Sequence, residues 1–343
     1  MKQLKLALMG FGNVGQAFGE MLLDKHEEIQ NKYGRDVAVT VIATATKGNI
    51  YNEEGINLRR VLEDVKETGR FDARMTTDMD HDRLIREADY DCLMELSPLN
   101  IETGQPATDH LIGAITRGKH GITANKGPVA WHFRKLRDMA EENRVGFFYE
   151  TVVMDGTPVF NLVEYTLKMA RVTQVTGILN STTNFILEEL EKGCDMDDIM
   201  ARGRAMGFIE ADPAMDIEGY DAAGKITALL NVLMDAGITP DQVERKGIED
   251  ITVEDIADAK ARGKVIKLLC RGTRDEQGNV IATVGPEEIP RDHMLASMNS
   301  TTSVVSITTD LMKTVSVVEH EPEIMQTAYG VFSDMLRVME LEG

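Results

Sequence analysis

Short apolar runs alternate with segments of helical periodicity over the first third of the chain. Four runs have the length and side chains of buried strands: residues 5–9, 37–44, 92–96 and 121–124. Three other segments place apolar residues at helical spacing: residues 16–29, 58–67 and 110–117. Residues 48–83 are otherwise polar and indicate an insertion. Strands that alternate with helices predict an α/β unit built on a doubly wound sheet of the Rossmann type.

The rest of the chain mixes strand and helix patterns without that alternation. Five β-branched runs predict strands, the last two as an antiparallel pair: residues 172–179, 265–270, 280–284, 301–309 and 314–318. Helical periodicity marks residues 160–169, a segment from residue 185, and residues 323–339. The predicted fold class is therefore α/β, with an N-terminal Rossmann-type doubly wound sheet and a second, mixed α/β domain.

The last helical segment has one apolar face, which predicts that it packs back onto the N-terminal domain. Its apolar positions recur at helical spacing: Ile324, Ala328, Val331, Phe332, Met335 and Met339. We therefore predict a discontinuous dinucleotide-binding domain of residues 1–132 and 320–343, with residues 133–319 forming the second domain. A chain of 343 residues has room for two such cores.

Composition and charge exclude several classes of partner. A net charge of −20 repels a phosphate backbone, so we expect no nucleic acid partner. No apolar run approaches the roughly 20 residues that a membrane helix needs. The three cysteines, Cys92, Cys194 and Cys270, lack metal-site spacing and fit a reducing cytoplasm. The N-terminus enters a strand pattern directly, which leaves no room for a signal peptide. We predict a cytoplasmic protein without a membrane partner.

A glycine fingerprint follows the first strand and opens the first helix. The G-x-G-x-x-G pattern has most meaning in this strand–turn–helix context. Gly10 would make the tight turn, Gly12 would let the backbone approach a pyrophosphate, and Gly15 would let helix and strand pack closely. The sequence predicts that the whole fingerprint contacts a dinucleotide: Gly10, Phe11, Gly12, Asn13, Val14 and Gly15.

The end of the second strand bears on the choice of cofactor. A site that prefers NAD usually places an acidic residue there, to hold the ribose 2′-hydroxyl. This strand instead runs into Thr44-Ala45-Thr46-Lys47, and hydroxyls with a lysine suit a 2′-phosphate better. We therefore favour NADP over NAD, with Thr44 and Lys47 in the site. A solvated loop lysine is the alternative interpretation of Lys47.

Two further strand ends belong to the same edge of the sheet, where open α/β sheets bind ligands. The third strand runs into Ser97-Pro98, which we expect beside the cofactor. The fourth runs into Asn125, which we also expect to bind the cofactor, and then Lys126, and Gly127-Pro128 fix the turn that follows. A lysine at a strand end beside a nicotinamide can exchange a proton with the substrate. A solvated turn lysine is the alternative.

Residues 207–230 combine a carboxylate-rich loop with an apolar helical pattern. The loop carries four acids: Glu210, Asp212, Asp216 and Glu218. Asp221 and Lys225 lie four residues apart, so a helix that begins near Asp221 places both on one face. Spacing alone favours an ordinary surface ion pair. The density of carboxylates around one lysine favours a pocket for a small zwitterion.

Taken in order, several motifs resemble the homoserine dehydrogenases. They cover roughly residues 5 to 300 and are specific together rather than singly: Gly10–Gly15, Glu95-Leu96-Ser97-Pro98 with Thr103-Gly104, residues 118–128, Tyr149-Glu150 to Pro158, Gly177-Ile178-Leu179-Asn180-Ser181-Thr182-Thr183-Asn184, and residues 207–230. The resemblance implies interconversion of L-homoserine, a small amino-acid substrate, and L-aspartate 4-semialdehyde with a nicotinamide cofactor. It also implies a homodimer, built through the middle of the chain.

The resemblance assigns roles to individual positions. Lys126 and Lys225 match the lysine pair at the reacting oxygen, and Asp221 matches the carboxylate beside it. Glu210 and Asp216 match positions that hold the amino end of the substrate. The loop that lines the same pocket matches three residues: Asn180, Ser181 and Thr182. The chain ends without the regulatory extension of some members, so we expect no threonine feedback site of that type.

The resemblance further implies a sodium ion, held mainly by main-chain carbonyls of residues 150–157. Four residues match that loop: Glu150, Val153, Asp155 and Thr157. Asp155 and Thr157 stand where the family usually has small residues, and a plain structural turn is the alternative.

One departure from the family lies in residues 318–323, Val-Glu-His-Glu-Pro-Glu, where a glycine-rich loop is usual. Acids close to a nucleotide would repel phosphate rather than cradle it. Either the loop points elsewhere or cofactor binding is altered. The second case motivates one alternative to the expected enzyme, a regulatory protein that binds NADP or an amino acid without turnover. A dehydrogenase of a related amino or hydroxy acid is a separate alternative.

Overall fold

The computed structural model describes residues 3–207, 209 and 212–342. The chain folds into two compact units, Met1–Pro158 with Glu323–Gly343, and Val159–Pro322. The second boundary lies close to the predicted one, whereas the first falls well beyond residue 132. Residue 132 lies inside a helix of the first unit, at a kink where His132 has a non-helical φ of −136°.

The elements of both units follow one another in this order. The first unit contains β1 (Gln3–Met9), α1 (Asn13–Tyr33), β2 (Asp36–Ala43), β3 (Asn49–Tyr51), α2 (Leu58–Thr68), β4 (Thr76–Thr77), α3 (His81–Glu87), β5 (Cys92–Glu95), α4 (Ala107–Thr116), β6 (His120–Thr123), α5 (Lys126–Asn143) and β7 (Phe147–Phe148). The second contains α6 (Phe160–Thr166), β8 (Val172–Ile178), α7 (Ser181–Glu191), α8 (Met196–Ala205), α9 (Ala214–Ile217), α10 (Tyr220–Met234), β9 (Glu244–Arg245), α11 (Val253–Ala261), β10 (Lys264–Arg274), β11 (Val280–Pro290), β12 (Ser303–Thr309) and β13 (Lys313–Glu319). The last helix, α12 (Ile324–Leu341), returns to the first unit.

The first unit is a doubly wound sheet, as predicted. Within the described residues its strand order is β4-β3-β2-β1-β5-β6-β7. Strands β2, β1, β5, β6 and β7 run parallel, whereas β3 and β4 pair antiparallel at one edge. Leu4, Leu6 and Leu8 of β1 contribute to a core shared with α1, α2 and α12. Ala7 and Met9 contribute to a second core with α3, α4 and α5. Both faces of β1 are buried, which explains why its second half is an apolar run rather than an alternation of apolar and polar residues.

The C-terminal helix completes the first of these cores. Ala328, Val331, Met335 and Val338 are fully buried there, at the helical spacing that the sequence shows. Burying one large apolar side chain contributes roughly 1.5–3 kcal/mol to folding. The helix therefore belongs to the fold of the first unit although it follows the whole second unit in the chain.

The second unit is a mixed sheet with helices packed against it. In the described part of the chain its strand order is β13-β12-β8-β10-β11-β9, antiparallel except for β11 with β9. The predicted antiparallel pair of the last two strands is confirmed. Helix α10 packs on β8, β10 and β11. Among all helices described, none has both the length and the apolar character that crossing a bilayer requires.

Candidate functional site

The carboxyl edge of the first sheet has the geometry of a dinucleotide site. Strand β1 lies between β2 and β5, so the strand order reverses at this point of the sheet. Such a switch point leaves a crevice outside the carboxyl ends of the strands. The amide of Gly10 donates to Ala43 O at 2.8 Å, and the amide of Leu96 donates to Met9 O at 2.8 Å. Gly10 has a φ of 112°, and a β-carbon there would collide with the Leu96 carbonyl. Only glycine fits this position.

The glycine fingerprint leaves an open place at the N-terminus of α1. Gly12 caps this helix without a side-chain hydrogen bond, and no described atom lies within 4 Å of where its β-carbon would stand. Free amides and the positive end of the helix dipole suit a pyrophosphate at such a place. A β-carbon on Gly15 would lie 3.0 Å from Gly10 O, so helix and strand pack closely there. These residues fit a dinucleotide.

Only part of the fingerprint presents side chains to that space. Gly12 and Asn13 are exposed and Val14 is partly buried. The Phe11 ring is buried in the core, with its centroid 6.0 Å from that of Phe71. A contact of Phe11 with a cofactor stays a prediction, and it could involve only the backbone of this residue.

The turn after β2 is held by the Thr44 hydroxyl. Thr44 Oγ1 donates to Gly48 O at 2.8 Å and accepts from the Lys47 amide at 2.9 Å. Lys47 is partly buried and forms no ion pair with the residues that the structure describes. Thr44 therefore shapes the turn, and Lys47 is the cation that this turn carries.

The polar side chains of Ser97 and Asn125 hydrogen-bond to the protein itself. The amide of Ser97 donates to Glu95 Oε1 at 2.8 Å, and its hydroxyl donates to the same oxygen. Asn125 Nδ2 donates to Ser97 O at 3.1 Å and to Pro98 O at 3.3 Å, while its Oδ1 caps α5 by accepting from Gly127 N at 3.0 Å. Lys126, the first residue of α5, is partly buried.

In the second unit, Asp221 and Lys225 form an ion pair that is largely buried. The pair lies in the first two turns of α10, which begins after Gly219 at a φ of 80°. Lys225 Nζ lies 3.3 Å from Asp221 Oδ2, and the two side chains are 20% and 14% exposed. Lys225 Nζ also donates to Leu179 O at 2.8 Å. The interpretation as an ordinary surface ion pair is therefore wrong.

Asn180 joins this pair to a second carboxylate. Its Nδ2 donates to Asp216 Oδ1 at 2.6 Å and to Asp221 Oδ2 at 3.0 Å. Its Oδ1 caps α7 by accepting from Thr183 N at 2.9 Å. The structure thus brings five predicted residues together, which we call the carboxylate–lysine cluster: Asn180, Thr182, Asp216, Asp221 and Lys225.

Burial is the main cause that raises the pKa of Asp216, and the negative charge of Asp221 adds to it. Hydrogen bonds from Asn180 and Thr182 act in the opposite direction. An ammonium group bound beside Asp216 would lower the pKa of Asp216, because a positive charge stabilises the ionised carboxylate. The cluster can therefore recognise a cationic amino group.

Within the described residues, the structure does not place the other residues of the predicted carboxylate pocket in the carboxylate–lysine cluster. Ser181 is the first residue of α7 and is partly buried. Glu210 lies outside the described residues. Asp212 is exposed and its Oδ1 accepts from Ala214 N at 3.1 Å, which is a local capping role.

The predicted cation loop is a tight turn packed on α12. Asp155 has a φ of 43°, and its carboxylate accepts from Thr327 Oγ1 at 2.7 Å. Thr157 N donates to Met154 O at 2.8 Å, whereas Val153 is buried. Glu150 is buried, and its amide donates to Asp334 Oδ2 at 3.0 Å. Across the described residues no group of three or more His, Cys, Asp or Glu side chains could hold a metal ion.

The acids of residues 318–323 have separate local positions. Glu319 is buried at the end of β13, and His320 and Glu321 are exposed. Glu323 forms a capping box with Gln326 at the start of α12, where its amide donates to Gln326 Oε1 at 2.7 Å. The acid at position 323 therefore serves as a helix cap.

Sequence reasoning missed three buried groups near these sites. Glu95 and His110 support the turn after β5, and Asp334 supports the cation loop. The available signal was weak. Glu95 is an acid at the end of an apolar strand, and Asp334 is an acid on the apolar face of a helix.

A Rossmann-type unit joined to a second α/β unit that carries a buried lysine–carboxylate cluster defines a nicotinamide-dependent oxidoreductase of two domains. Two family models cover most of the chain. Residues 10–150 match the homoserine dehydrogenase NAD-binding domain, and residues 158–336 match homoserine dehydrogenase. The chain belongs to the homoserine dehydrogenase family.

Individual relatives agree over nearly the whole length. The chain is 33% identical to the NAD(+)-dependent homoserine dehydrogenase of Pseudomonas canavaninivorans, over 98% of this chain and 97% of that one. It is 33% identical to the homoserine dehydrogenase of Methanocaldococcus jannaschii, over 98% of each chain.

Solved structures show the same fold. A homoserine dehydrogenase from Thiobacillus denitrificans superposes with a TM-score of 0.84 at 28% identity, over 100% of this chain and 74% of that one. A hyperthermophilic archaeal homoserine dehydrogenase in complex with NADPH superposes with a TM-score of 0.82 at 25% identity, over 98% of each chain.

Proposed function

We propose that this protein interconverts L-homoserine and L-aspartate 4-semialdehyde with a nicotinamide cofactor. The observation that carries the proposal is the carboxylate–lysine cluster, in which Asn180 ties Asp216 to the buried Asp221–Lys225 pair. Homoserine offers a cationic amino group to Asp216 and a hydroxyl group to Lys225. Glu210, which the family resemblance places at the amino group, complements Asp216 in this proposal.

The residues divide the chemistry between them. The bound nicotinamide supplies the acceptor for the hydride that leaves the carbinol carbon. Lys126 takes the hydroxyl proton, so the oxidation yields an aldehyde, a reduced cofactor and one proton. Lys225 orients the reacting oxygen, because Leu179 O and Asp221 fix the direction of its ammonium group. Asp221 offsets the positive charge at that oxygen.

An assay at 340 nm tests this function against its alternatives. Purified protein is given L-homoserine with NADP or with NAD, and reduction of the cofactor is expected. Ligand binding without any reduction would contradict the proposal and favour a regulatory protein. Serine and the next longer ω-hydroxy amino acid serve as comparison substrates. A higher kcat/KM for either of them would identify a related dehydrogenase instead.

For the cofactor we propose NADP in preference to NAD. Relatives differ here, since one is named NAD(+)-dependent and another is in complex with NADPH. The support lies in the turn after β2, which ends without an acid and carries Lys47. A 2′-phosphate would gain a charged hydrogen bond from Lys47 that a 2′-hydroxyl would not.

We expect Lys47→Ala to raise KM for NADP about 10- to 100-fold, because a hydrogen bond to a charged group contributes about 1.5–3 kcal/mol. KM for NAD should change less than about twofold, since NAD lacks the phosphate. Initial rates at 340 nm with each cofactor measure both values. Lys66→Ala, which alters an exposed lysine of α2, is the matched control. Equal effects on both cofactors would contradict the assignment.

We also propose a cytoplasmic homodimer, assembled through the second unit. Large apolar side chains are exposed at one end of its sheet, where Met169 is 94% exposed and Leu311 is 70% exposed. The two segments lie close in the fold, because Arg171, two residues after Met169, hydrogen-bonds to Asp310, the residue before Leu311. Light scattering behind size exclusion measures the assembly, and a monomer mass would contradict the dimer.

A monovalent cation, sodium, in the residue 150–157 loop is a further part of the proposal. Main-chain carbonyls of Glu150, Val153, Asp155 and Thr157 would hold it. The donor set fits a hard cation, because carbonyl oxygens are ligands that such cations accept. Two buried acids, Glu150 and Asp334, also lie at this loop, and Arg337 Nη1 lies 3.7 Å from Asp334 Oδ1. Asp334 Oδ1 accepts no hydrogen bond from the described residues. Burial raises the pKa of Asp334 from 3.8 to about 7.

We expect Asp334→Asn to stabilise the protein at pH 8 and to change little at pH 4. In the folded state Asp334 holds its proton up to about pH 7, whereas the unfolded chain loses it near 3.8. Stability is therefore lost as pH rises between these values, by up to about 4 kcal/mol. Asparagine has no ionisable proton, so the variant does not lose this stability as the pH rises. Urea unfolding at both pH values in choline chloride measures the effect.

The same titration tests the ion. Sodium in place of choline should narrow the difference between the Asp334→Asn variant and the parent protein at pH 8, because a cation favours the ionised Asp334. Glu340→Gln, an exposed change on the same helix, is the control. A variant that is equally stable relative to the parent at pH 4 and pH 8 would contradict the role of Asp334.

A further inference from the structure

A buried acid–imidazole pair lies beneath the turn at which the cofactor crevice opens. Glu95, the last residue of β5, is wholly buried, and His110 of α4 is nearly so. Glu95 Oε2 lies 2.6 Å from His110 Nδ1. The other oxygen, Oε1, accepts from the Ser97 amide and hydroxyl. A buried carboxylate is costly unless both oxygens are satisfied, as they are here.

The bonds continue from this pair to the start of α5. Ser97 O and Pro98 O both accept from Asn125 Nδ2, and Asn125 is the cap directly before Lys126. One carboxylate thus fixes the turn after β5, and that turn fixes the cap of α5. The series runs from His110 through Glu95, Ser97 and Asn125 to Lys126.

The same turn is held from its far side by α5. Trp131 Nε1 donates to Ile101 O at 2.8 Å. A β-carbon on Gly104 would lie 2.7 Å from Gly127 O, and one on Gly127 would lie 2.7 Å from the Cα of Gly104. Two glycines are needed for so close an approach of two backbones. The turn and the N-terminus of α5 are therefore closely packed on each other, and Glu95 is the buried acid that holds the turn.

We propose that Glu95 and His110 are positioning residues for the dehydrogenase reaction. They set the place of Lys126 relative to the cofactor crevice and touch no reacting atom. In the same arrangement Ser97 and Asn125 connect Glu95 to Lys126 through hydrogen bonds. Their polar side chains serve this connection and do not bind the cofactor. The inference rests on the proposed function, because it gives Lys126 a proton to move.

The test is Glu95→Gln, which keeps the shape and one acceptor oxygen but removes the charge that holds His110 and Ser97. We expect kcat to fall about 10- to 100-fold, because a misplacement near 1 Å costs a factor of that order. KM for homoserine and for the cofactor should each change less than about threefold. Glu87→Gln, an exposed change on α3, is the control and should keep the parent rate.

A double-mutant cycle separates positioning from a general loss of structure. In a Lys126→Ala background, Glu95→Gln should lower kcat by less than about twofold, because the residue that it positions is already absent. Equal losses in both backgrounds, or a parent rate in the single variant, would overturn the inference. A parent protein that reduces neither cofactor with homoserine would instead overturn the proposed function.

Ser97 provides a second route if Glu95→Gln does not fold. Ser97→Ala removes one of the two bonds to Glu95 Oε1 and should lower kcat about threefold, with the cofactor KM nearly unchanged. Ser97→Thr keeps the hydroxyl and should restore the rate. A rise in cofactor KM without a fall in kcat would show that the Ser97 hydroxyl binds the cofactor, and would overturn the inference.

Discussion

Lys126→Ala is expected to lower kcat by at least ~10²-fold while the protein keeps its fold. Lys126 is the first residue of α5, and Asn125 caps that helix through Gly127 N. Truncating the lysine removes an amine without removing the cap. The lost amine is the group that takes the hydroxyl proton in the proposed reaction. Initial rates at 340 nm and the thermal midpoint of unfolding measure the two parts of the prediction.

Two further variants make the result specific. Lys135→Ala removes an exposed lysine from the same helix and should leave kcat unchanged. Lys126→Arg keeps the positive charge, but a guanidinium group does not become the neutral base that takes the hydroxyl proton. The variant should therefore be nearly as slow as Lys126→Ala. A fast arginine variant would show that the charge alone is needed. Near-normal turnover of Lys126→Ala would remove Lys126 from the mechanism.

Most of the fold follows from hydrophobic periodicity. Strands β1, β2, β5 and β6 are buried on both faces over most of their length, so apolar residues predominate where each is buried. Helix α12 could be placed on the first unit because its apolar residues recur at helical spacing and all of the predicted stripe except Ile324, which is exposed, is buried there. In these elements local pattern and tertiary packing agree.

The short edge strands could not be predicted in the same way. Strands β3 and β4 lie in the polar segment 48–83, and Ile50 is the only residue of the two that is buried. Their structure comes from pairing with β2, which no pattern within the segment records. Contacts distant in sequence also bear on the domain boundary predicted at residue 132, which stays a prediction. The kinked helix α5 continues through it, held by Trp131 and by contacts distant in sequence.

The candidate site likewise combines features that are local in the sequence with contacts that only the folded chain creates. The glycine fingerprint and the helical spacing of Asp221 and Lys225 are local features, and both could be predicted from the sequence. Which atom a polar side chain bonds depends on neighbours far along the chain. The sequence predicts that Ser97 and Asn125 bind the cofactor, which stays a prediction, but it does not show that their polar atoms bond Glu95, the turn and a helix end. The importance of Glu95 appears only when β5 and α4 come together.

The second large effect is expected for Asp221→Asn, which removes one negative charge from the carboxylate–lysine cluster. We expect kcat/KM for homoserine to fall about 10²- to 10³-fold, the usual loss for one preorganised electrostatic group. Lys225 would lose the carboxylate that lies 3.3 Å from its ammonium group. Asparagine has nearly the same shape and retains an acceptor for Asn180, so a loss of rate would reflect charge rather than packing.

The pH profile gives this variant a second readout. The charge of Asp221 helps to raise the pKa of Asp216, so its removal should lower that pKa. Asp216 would then ionise at lower pH, and the acid limb of the kcat/KM profile should move to lower pH. Asp212→Asn, an exposed acid of the same loop, should change neither the rate nor the profile. An acid limb that stays in place would show that Asp216 does not bind the substrate in its ionised form. An unchanged rate for Asp221→Asn would exclude its charge from the chemistry, because the pair that it forms with Lys225 would then serve only the packing of α10.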